Sequence, residues 1–500
     1  MIAEFLNRNN LSKILDQLCD VLPSGLPVYL VGGAVRDALI GRVSHDLDFV
    51  LARDALRNAR KVADSLQAAY YPLDEDREYG RLVLQQPGGE RLVLDFTAIQ
   101  GDSLETDLRA RDFTVNAMAV DIHSRNNLSD PLGGLVDLHA RQLRPCSETS
   151  FTNDPVRILR GLRLAANLNF QLSPGTGTLM RQAIHLLPSV SPERLRDEFF
   201  RILDGTHPAA CIHALELIGG LSYILPELSV MKNVPQSPPH IADVWQHTLA
   251  VITYLETVLN VLVAPYDSNL LTNLHLSLLS LHLGCYRQPI AAHFQTSLNP
   301  NRSLRSLLFW AALFHDAGKP ETYHLAEAGR IQFIDHEGQG EITLRKISRA
   351  FHLSNSEVDR AGVIVSSHLR PILLAQINGN PSRRAIYRFF RNIGVAGIDV
   401  CLLSLADVLG TYGSSIPEET WVKHLRVVQS LLEAWWERST DSVSPDPVIN
   451  GKDVMVEFSL GPGPQIGRIL DAIKEAQAAG EVKTRAEAVE FTRVYLKTKG

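Results

Sequence analysis

Two carboxylates two residues apart, Asp46 and Asp48, open the chemistry available to this chain. They sit in DLDFV, a short run that reads as a strand, where side chains two apart point to the same face. Paired carboxylates repel unless cations lie between them. Two Mg²⁺ ions about 3.5–4 Å apart would relieve that repulsion, activate a hydroxyl and stabilise a leaving phosphate oxygen. Just upstream, the apolar run Val28–Val31 reads as a strand that stops at Gly32-Gly33. There backbone can approach a phosphate, and a helix over 34–40 opens with free N–H groups. A lone Asp-x-Asp also occurs at exposed turns and strand ends. The double glycine, Arg36-Asp37 and Gly41 ahead of it single this one out as a phosphate cradle beside a metal pair.

Other acids and bases follow. Asp95 lies on a strand among apolar neighbours, either facing the surface or serving as a third metal-site acid. Arg111-Asp112, in LRARDFTVNAMAVD, reads as a structural ion pair or as an arginine reaching triphosphate oxygens. Asp154 and Arg157, three apart on an expected helix, share a face. They form a surface ion pair or, as carboxylate acceptor beside guanidinium donor, imitate a Watson–Crick edge. Histidines then gather: His247, the pair His315-Asp316, His336, His368, and finally Asp407. Single histidines on apolar helices are usually core or surface residues. An adjacent His-Asp pair is different, because both can reach one ion if partner helices supply the rest. Imidazole plus carboxylate suits Mn²⁺, Fe²⁺, Ni²⁺ or, with fewer ligands, Mg²⁺.

The elements that must position these residues change character along the chain. A length of 500 residues implies several domains. An amphipathic helix is expected within 1–27, then alternating strands and helices over 28–145. Two of the strands, 81–86 and 91–97, are joined by the hairpin signal Pro87-Gly88-Gly89-Glu90. Helix Leu104–Arg109 precedes Arg111, and from Asp154 the period becomes helical, with Asp154-Pro155 as its start. SPERLRDEFFRILDG is a helix capped by Ser191 with Pro192 at its first position. A Pro-rich break at 234–239 separates a helical region over 146–233 from another over 240–415. Residues 416–500 form a helical tail, with a glycine-proline turn before Gln465 that is either an ordinary loop or a backbone site for phosphate.

Composition sets limits. A charged fraction of 21% and a hydrophobic fraction of 45% fit a soluble globular protein, and no stretch reads as membrane-spanning. Cys19, Cys146, Cys211, Cys285 and Cys401 are odd in number and scattered, as free thiols in a reducing cytoplasm would be. No signal peptide is read at the N-terminus. The net charge of −6 argues against a generic nucleic-acid coat but leaves room for a local basic face.

The ordered motifs from Val28 to Leu225 resemble the bacterial-type tRNA nucleotidyltransferase/poly(A) polymerase family of the DNA polymerase β superfamily. The later histidines resemble the HD phosphohydrolase superfamily. The resemblance implies an α+β nucleotidyltransferase head with a polymerase β-like mixed sheet, an all-α neck and an all-α HD domain. It implies Mg²⁺ on Asp46 and Asp48 with Asp95 as helper, where the family usually has Glu. Gly32, Gly33, Arg36, Arg111, Asn116 and Arg160 would serve the nucleotide, and Asp154 and Arg157 would read its base. In that motif Asn153 replaces the family's Glu. His247, His315, Asp316 and Asp407 would form the basic HD metal set, His336 and His368 would suit a second ion, and Lys319 would bind phosphate. Expected partners are tRNA, CTP and ATP; the expected location is the cytoplasm, without a membrane. Poly(A) polymerase activity and HD phosphohydrolysis of RNA ends or nucleotides are the rival functions. In relatives that build a whole CCA end, a flexible lever lies between the third-acid strand and the Arg-Asp-Phe-Thr motif. Here only Phe96–Ala110 separates Asp95 from Arg111, so the resemblance implies addition of CC alone, unless the charged run within Tyr71–Tyr79 does the lever's job.

Overall fold

The computed structural model describes residues 11–85, 91–263, 273–327, 329–377 and 380–499. The expected hairpin turn Pro87–Glu90 lies outside them, as do residues 1–10. The chain divides into two compact units, Met1–Val190 with Ile218–Gly220, and Ser191–Leu217 with Leu221–Gly500.

The first unit is built on a seven-stranded sheet with order β3-β4-β5-β2-β1-β6-β7. Its strands are β1 Val28–Val31, β2 Asp46–Leu51, β3 Ala69–Asp74, β4 Tyr79–Gln85, β5 Arg91–Ala98, β6 Ala119–Asp121 and β7 Leu128–Ser129. β2 and β5 run parallel and every other pairing is antiparallel, so the sheet is mixed as expected. Helices α1 Leu11–Val21, α2 Gly33–Leu39, α3 Ala55–Leu66 and α4 Leu104–Arg109 accompany it. Alternation along β2 separates roles: Leu47, Phe49 and Leu51 are buried, whereas Asp46 is exposed and Asp48 half-buried. Phe49 stacks on Phe96 of β5 with ring centroids 5.1 Å apart, which locks the two acid-bearing strands in register.

Helices α5 Ser150–Asn153 and α6 Arg157–Leu168 follow, and a further helix, Thr176–Ala183, lies before the unit's end at Val190. The helix expected to start at Asp154-Pro155 starts at Arg157 instead. Asp154 is extended, with φ −149° and ψ 94°, because a following proline disfavours helical backbone.

Among the described residues the second unit is helical apart from one antiparallel strand pair, β8 Tyr323–Leu325 with β9 Ile331–Phe333. It begins with α7 Pro192–Asp204, capped by the Ser191 hydroxyl as expected. Its later helices include α8 Val244–Leu262, α9 Leu304–Phe314, α10 His336–Ala350, α11 Asn355–Ser367 and α12 Ala396–Tyr412. α9 is apolar nearly all round because it is buried on nearly all sides. Its Trp310 packs among Phe199, Phe200, Phe314 and Phe351, and its indole N–H donates to the Ser348 hydroxyl. Ala396–Ser415 is long and apolar enough to cross a membrane, and 83% of its apolar window is buried in this unit. The Pro-rich segment lies inside this unit rather than between units.

Candidate nucleotidyl-transfer and metal centres

The first centre forms where β1 ends. Gly32 adopts a left-handed φ of 75°, and a Cβ there would stand 3.0 Å from Asp48 Oδ2 and 3.3 Å from an Arg111 Nη. Glycine thus lets the backbone pass directly beside an acid and a base. Asp48 and Asp95 are register partners on the parallel strands β2 and β5, so their carboxylates face the same space. Burial pushes the Asp48 carboxyl up, Arg111 opposes that, and the charges of Asp95 and Asp46 add to it. Arg160 opposes the shift as well. Asp46, Asp48 and Asp95 fit divalent ions by their chemistry and juxtaposition.

Arg36 is engaged within the protein. It is buried, grips Asp37 through both carboxylate oxygens, and donates to Asn116 Oδ1. Asn116 in turn donates to Asp112, which pairs with Arg160 at 2.6 Å. Burial raises the Asp112 carboxyl, but Arg160, Asn116 and the Phe113 N–H together hold it below the usual range. Arg36, Asn116, Asp112 and Arg160 are thus linked in one chain of hydrogen bonds and ion pairs.

Arg111 leans on Asp107 of α4 at 3.1 Å. Arg157 spends its Nη donors on the carbonyls of Ala110 and Arg111 and on the Ser150 hydroxyl, while its Nε lies 3.8 Å from Asp154. Asp154 and Arg157 do meet, although not on one helix face. Sequence reasoning missed Tyr79 and Arg81, both of which grip Asp95. The expected pairing of these strands brings them together, but only the observed register sets Arg81 opposite Asp95.

The second centre lies in the helical unit. His315-Asp316 sits just past the end of α9 rather than on it, His247 comes from α8, His336 opens α10, His368 follows α11 and Asp407 lies on α12. All are buried. They form two groups sharing Asp316: His247, His315 and Asp316, and Asp316, His336 and His368. His247 Nε2 lies 3.1 Å from Asp407 Oδ1, 3.5 Å from Asp316 Oδ2 and 3.4 Å from His315 Nε2. The Nδ1 atoms of His315, His336 and His368 face the carbonyls of Ala312, Phe333 and Val365 at 2.7, 2.9 and 2.7 Å. Donation there leaves each Nε2 lone pair facing inward, as metal-ligating histidines require. The buried Nε2 atoms of His336 and His368 make no hydrogen bond among the described residues, which fits an ion as the missing partner. Burial, then the neighbouring His315 and His336, push His368 down to about 3, keeping it neutral.

Burial works against ionising Asp316, yet Lys319 and His315 hold its carboxyl well below the usual range. Lys319 Nζ lies 2.6 Å from Asp316 Oδ2 and donates to Gln236 of the Pro-rich segment at 2.7 Å. A cavity of about 660 Å³ opens here, walled by Phe333, Ile372 and Tyr412, with His240 and Arg330 among its polar lining. The close approach that assembles the centre is at Gly318, where a Cβ would fall 2.1 Å from the His336 carbonyl and 2.6 Å from the Gly340 nitrogen. Gly318→Ala is expected to cost about 1–3 kcal/mol in urea unfolding, because backbone rather than side chain must move. It should also lower bound metal, measured by elemental analysis.

Several family models match the chain. "Poly A polymerase head domain" covers residues 28–144, "HD domain" residues 279–411 and "tRNA nucleotidyltransferase domain 2" residues 443–492. His247, brought to the second centre by α8, lies outside the HD match. An A-adding tRNA nucleotidyltransferase of Deinococcus radiodurans is 33% identical over 93% of this chain and 94% of its own length. A CC-adding tRNA nucleotidyltransferase of Thermus thermophilus is 32% identical over 92% of each. Among solved structures, a CCA-adding enzyme in apo form superposes with a TM-score of 0.64 at 19% identity, covering 100% of this chain and 98% of that one. The Thermotoga maritima CCA-adding enzyme complexed with tRNA gives 0.59 at 18% identity, covering 99% and 98%.

Proposed function

This chain belongs to the tRNA nucleotidyltransferase/poly(A) polymerase family, and from that premise we propose that it adds two C residues to the 3′ end of tRNA and stops. The RNA 3′-hydroxyl attacks the α-phosphate of CTP, the bond to the β-phosphate breaks, and pyrophosphate leaves. Mg²⁺ held by Asp46 and Asp48, with Asp95 beside them, would supply hydroxyl activation and stabilise the leaving group. Arg111, next to Gly32 and Asp48, meets the triphosphate. Asp154 offers an acceptor to the base and Arg157 its second Nη2 N–H, the other Nη donors being held by Ala110, Arg111 and Ser150.

Relatives named for A addition and for CC addition are about equally similar, so names do not settle the product. The observation against a switch from C to A is the connection from Asp95 to Arg111; the choice of C over A follows the resemblance to CC-adding relatives. That connection is short, and much of it is folded: β5 runs to Ala98, Ser103 caps α4, and α4 runs to Arg109. Arg157 is fastened to Ala110 and Arg111, the end of that same connection. A base-reading pair tied down in this way presents one hydrogen-bond pattern, and a switch from C to A needs something that moves. The test is a tRNA lacking its 3′ CCA, incubated with each nucleoside triphosphate separately and resolved to one nucleotide. CTP is expected to extend it by two residues and ATP by none. Long A tails from ATP would favour poly(A) polymerase and overturn the reading.

A second activity is supported by the cavity over Asp316, His336 and Asp407. Its donor set would hold a pair of divalent ions, and Arg330 and His240 offer positive or hydrogen-bonding groups to a phosphoester. We infer phosphohydrolysis of RNA ends or nucleotides at this centre.

A further inference from the structure

Three neighbouring strands place Arg81, Asp95 and Asp48 in one row, Arg81 opposite Asp95 across β4–β5 and Asp95 opposite Asp48 across β5–β2. The Arg81 guanidinium binds Asp95 as a fork, Nε to Oδ1 at 2.8 Å and Nη2 to Oδ2 at 2.8 Å. The Tyr79 hydroxyl donates to Oδ2 at 2.7 Å and accepts from Arg81 Nη2 at 3.1 Å. Oδ2 is saturated, and Oδ1 keeps a single lone-pair direction. The third acid therefore meets a divalent ion with a fixed cation already on its other side. An uncommitted carboxylate would bind that ion with its full charge.

We propose that Arg81 is a positioning residue for the metal centre, one that fixes the orientation of Asp95 and competes electrostatically with the ion between Asp48 and Asp95. Arg81 thereby keeps that ion weakly held and exchangeable, and Tyr79 completes the grip. The inference rests on the reading of Asp46, Asp48 and Asp95 as metal ligands. The Arg81 side chain is 41% exposed, so solvent moderates the competition without abolishing it.

The experiment titrates Mn²⁺ into the full chain, following free ion by electron paramagnetic resonance. An Asp316→Asn background lowers binding at the histidine centre. Arg81→Gln is expected to tighten binding about tenfold, the scale for removing one partly solvated charge near an ion. Arg81→Lys, which keeps the charge but loses the fork, should stay within about threefold of the parent. Adding Asp95→Asn to Arg81→Gln should abolish the gain. Unchanged or weaker binding in Arg81→Gln, in protein folded by circular dichroism, overturns the role given to Arg81. Asp48→Asn binding Mn²⁺ like the parent would instead overturn the metal reading beneath it.

Discussion

Replacing Asp48 by alanine is expected to lower nucleotide transfer by at least about 10³-fold, the scale of losing an ion that stabilises transition-state charge. The protein should remain folded. Asp48 lies on a strand whose neighbours Leu47 and Phe49 carry the packing, so the mutation removes charge rather than core. Its carboxyl is pushed up by burial in the folded state, so ionising it costs more there than in the unfolded chain. A raised acid gives stability that is complete below its unfolded value and fades as pH rises through the folded one. At neutral pH, without divalent ions, Asp48→Ala should therefore melt no lower than wild type. Near-normal incorporation of CTP by this variant would contradict the assignment.

The second large effect is separation of the two centres. His315→Ala removes an Nε2 that faces both His247 and Asp316, within 3.4 and 3.3 Å. It should strip divalent metal from the helical unit, detected by elemental analysis, and abolish hydrolysis of a chromogenic phosphodiester. CTP transfer should stay within a few-fold, because the transfer residues belong to the other compact unit. Equal loss of both activities in folded protein would mean one composite centre.

Much of this was legible because local rules govern it. Alternation along β2 gives the shared face of Asp46 and Asp48, and the glycine turn after Val31 gives the approach to them. The serine cap and Pro192 mark the start of α7. What stayed hidden depends on register and on contacts between elements distant in sequence. Arg81 opposite Asp95 needs the pairing of β4 with β5, and Arg36 bound to Asn116 joins residues 80 apart in sequence. The resemblance casts Arg36 and Lys319 as phosphate ligands, and contacts that no local rule reveals bond Arg36 to Asn116 and Lys319 to Gln236. Asp154 is instructive in another way: the rule that residues before proline leave the helix was sufficient to place it outside α6, and i, i+3 spacing was the weaker guide.

The central claim, CC addition by a head whose base-reading pair cannot switch, is tested most directly by the mass of the RNA product. A tRNA ending before its first C is incubated with the full chain and all four nucleoside triphosphates together, and the intact RNA is weighed by mass spectrometry. The expected product has gained two cytidylates and nothing more. A product carrying a terminal adenylate would contradict the claim.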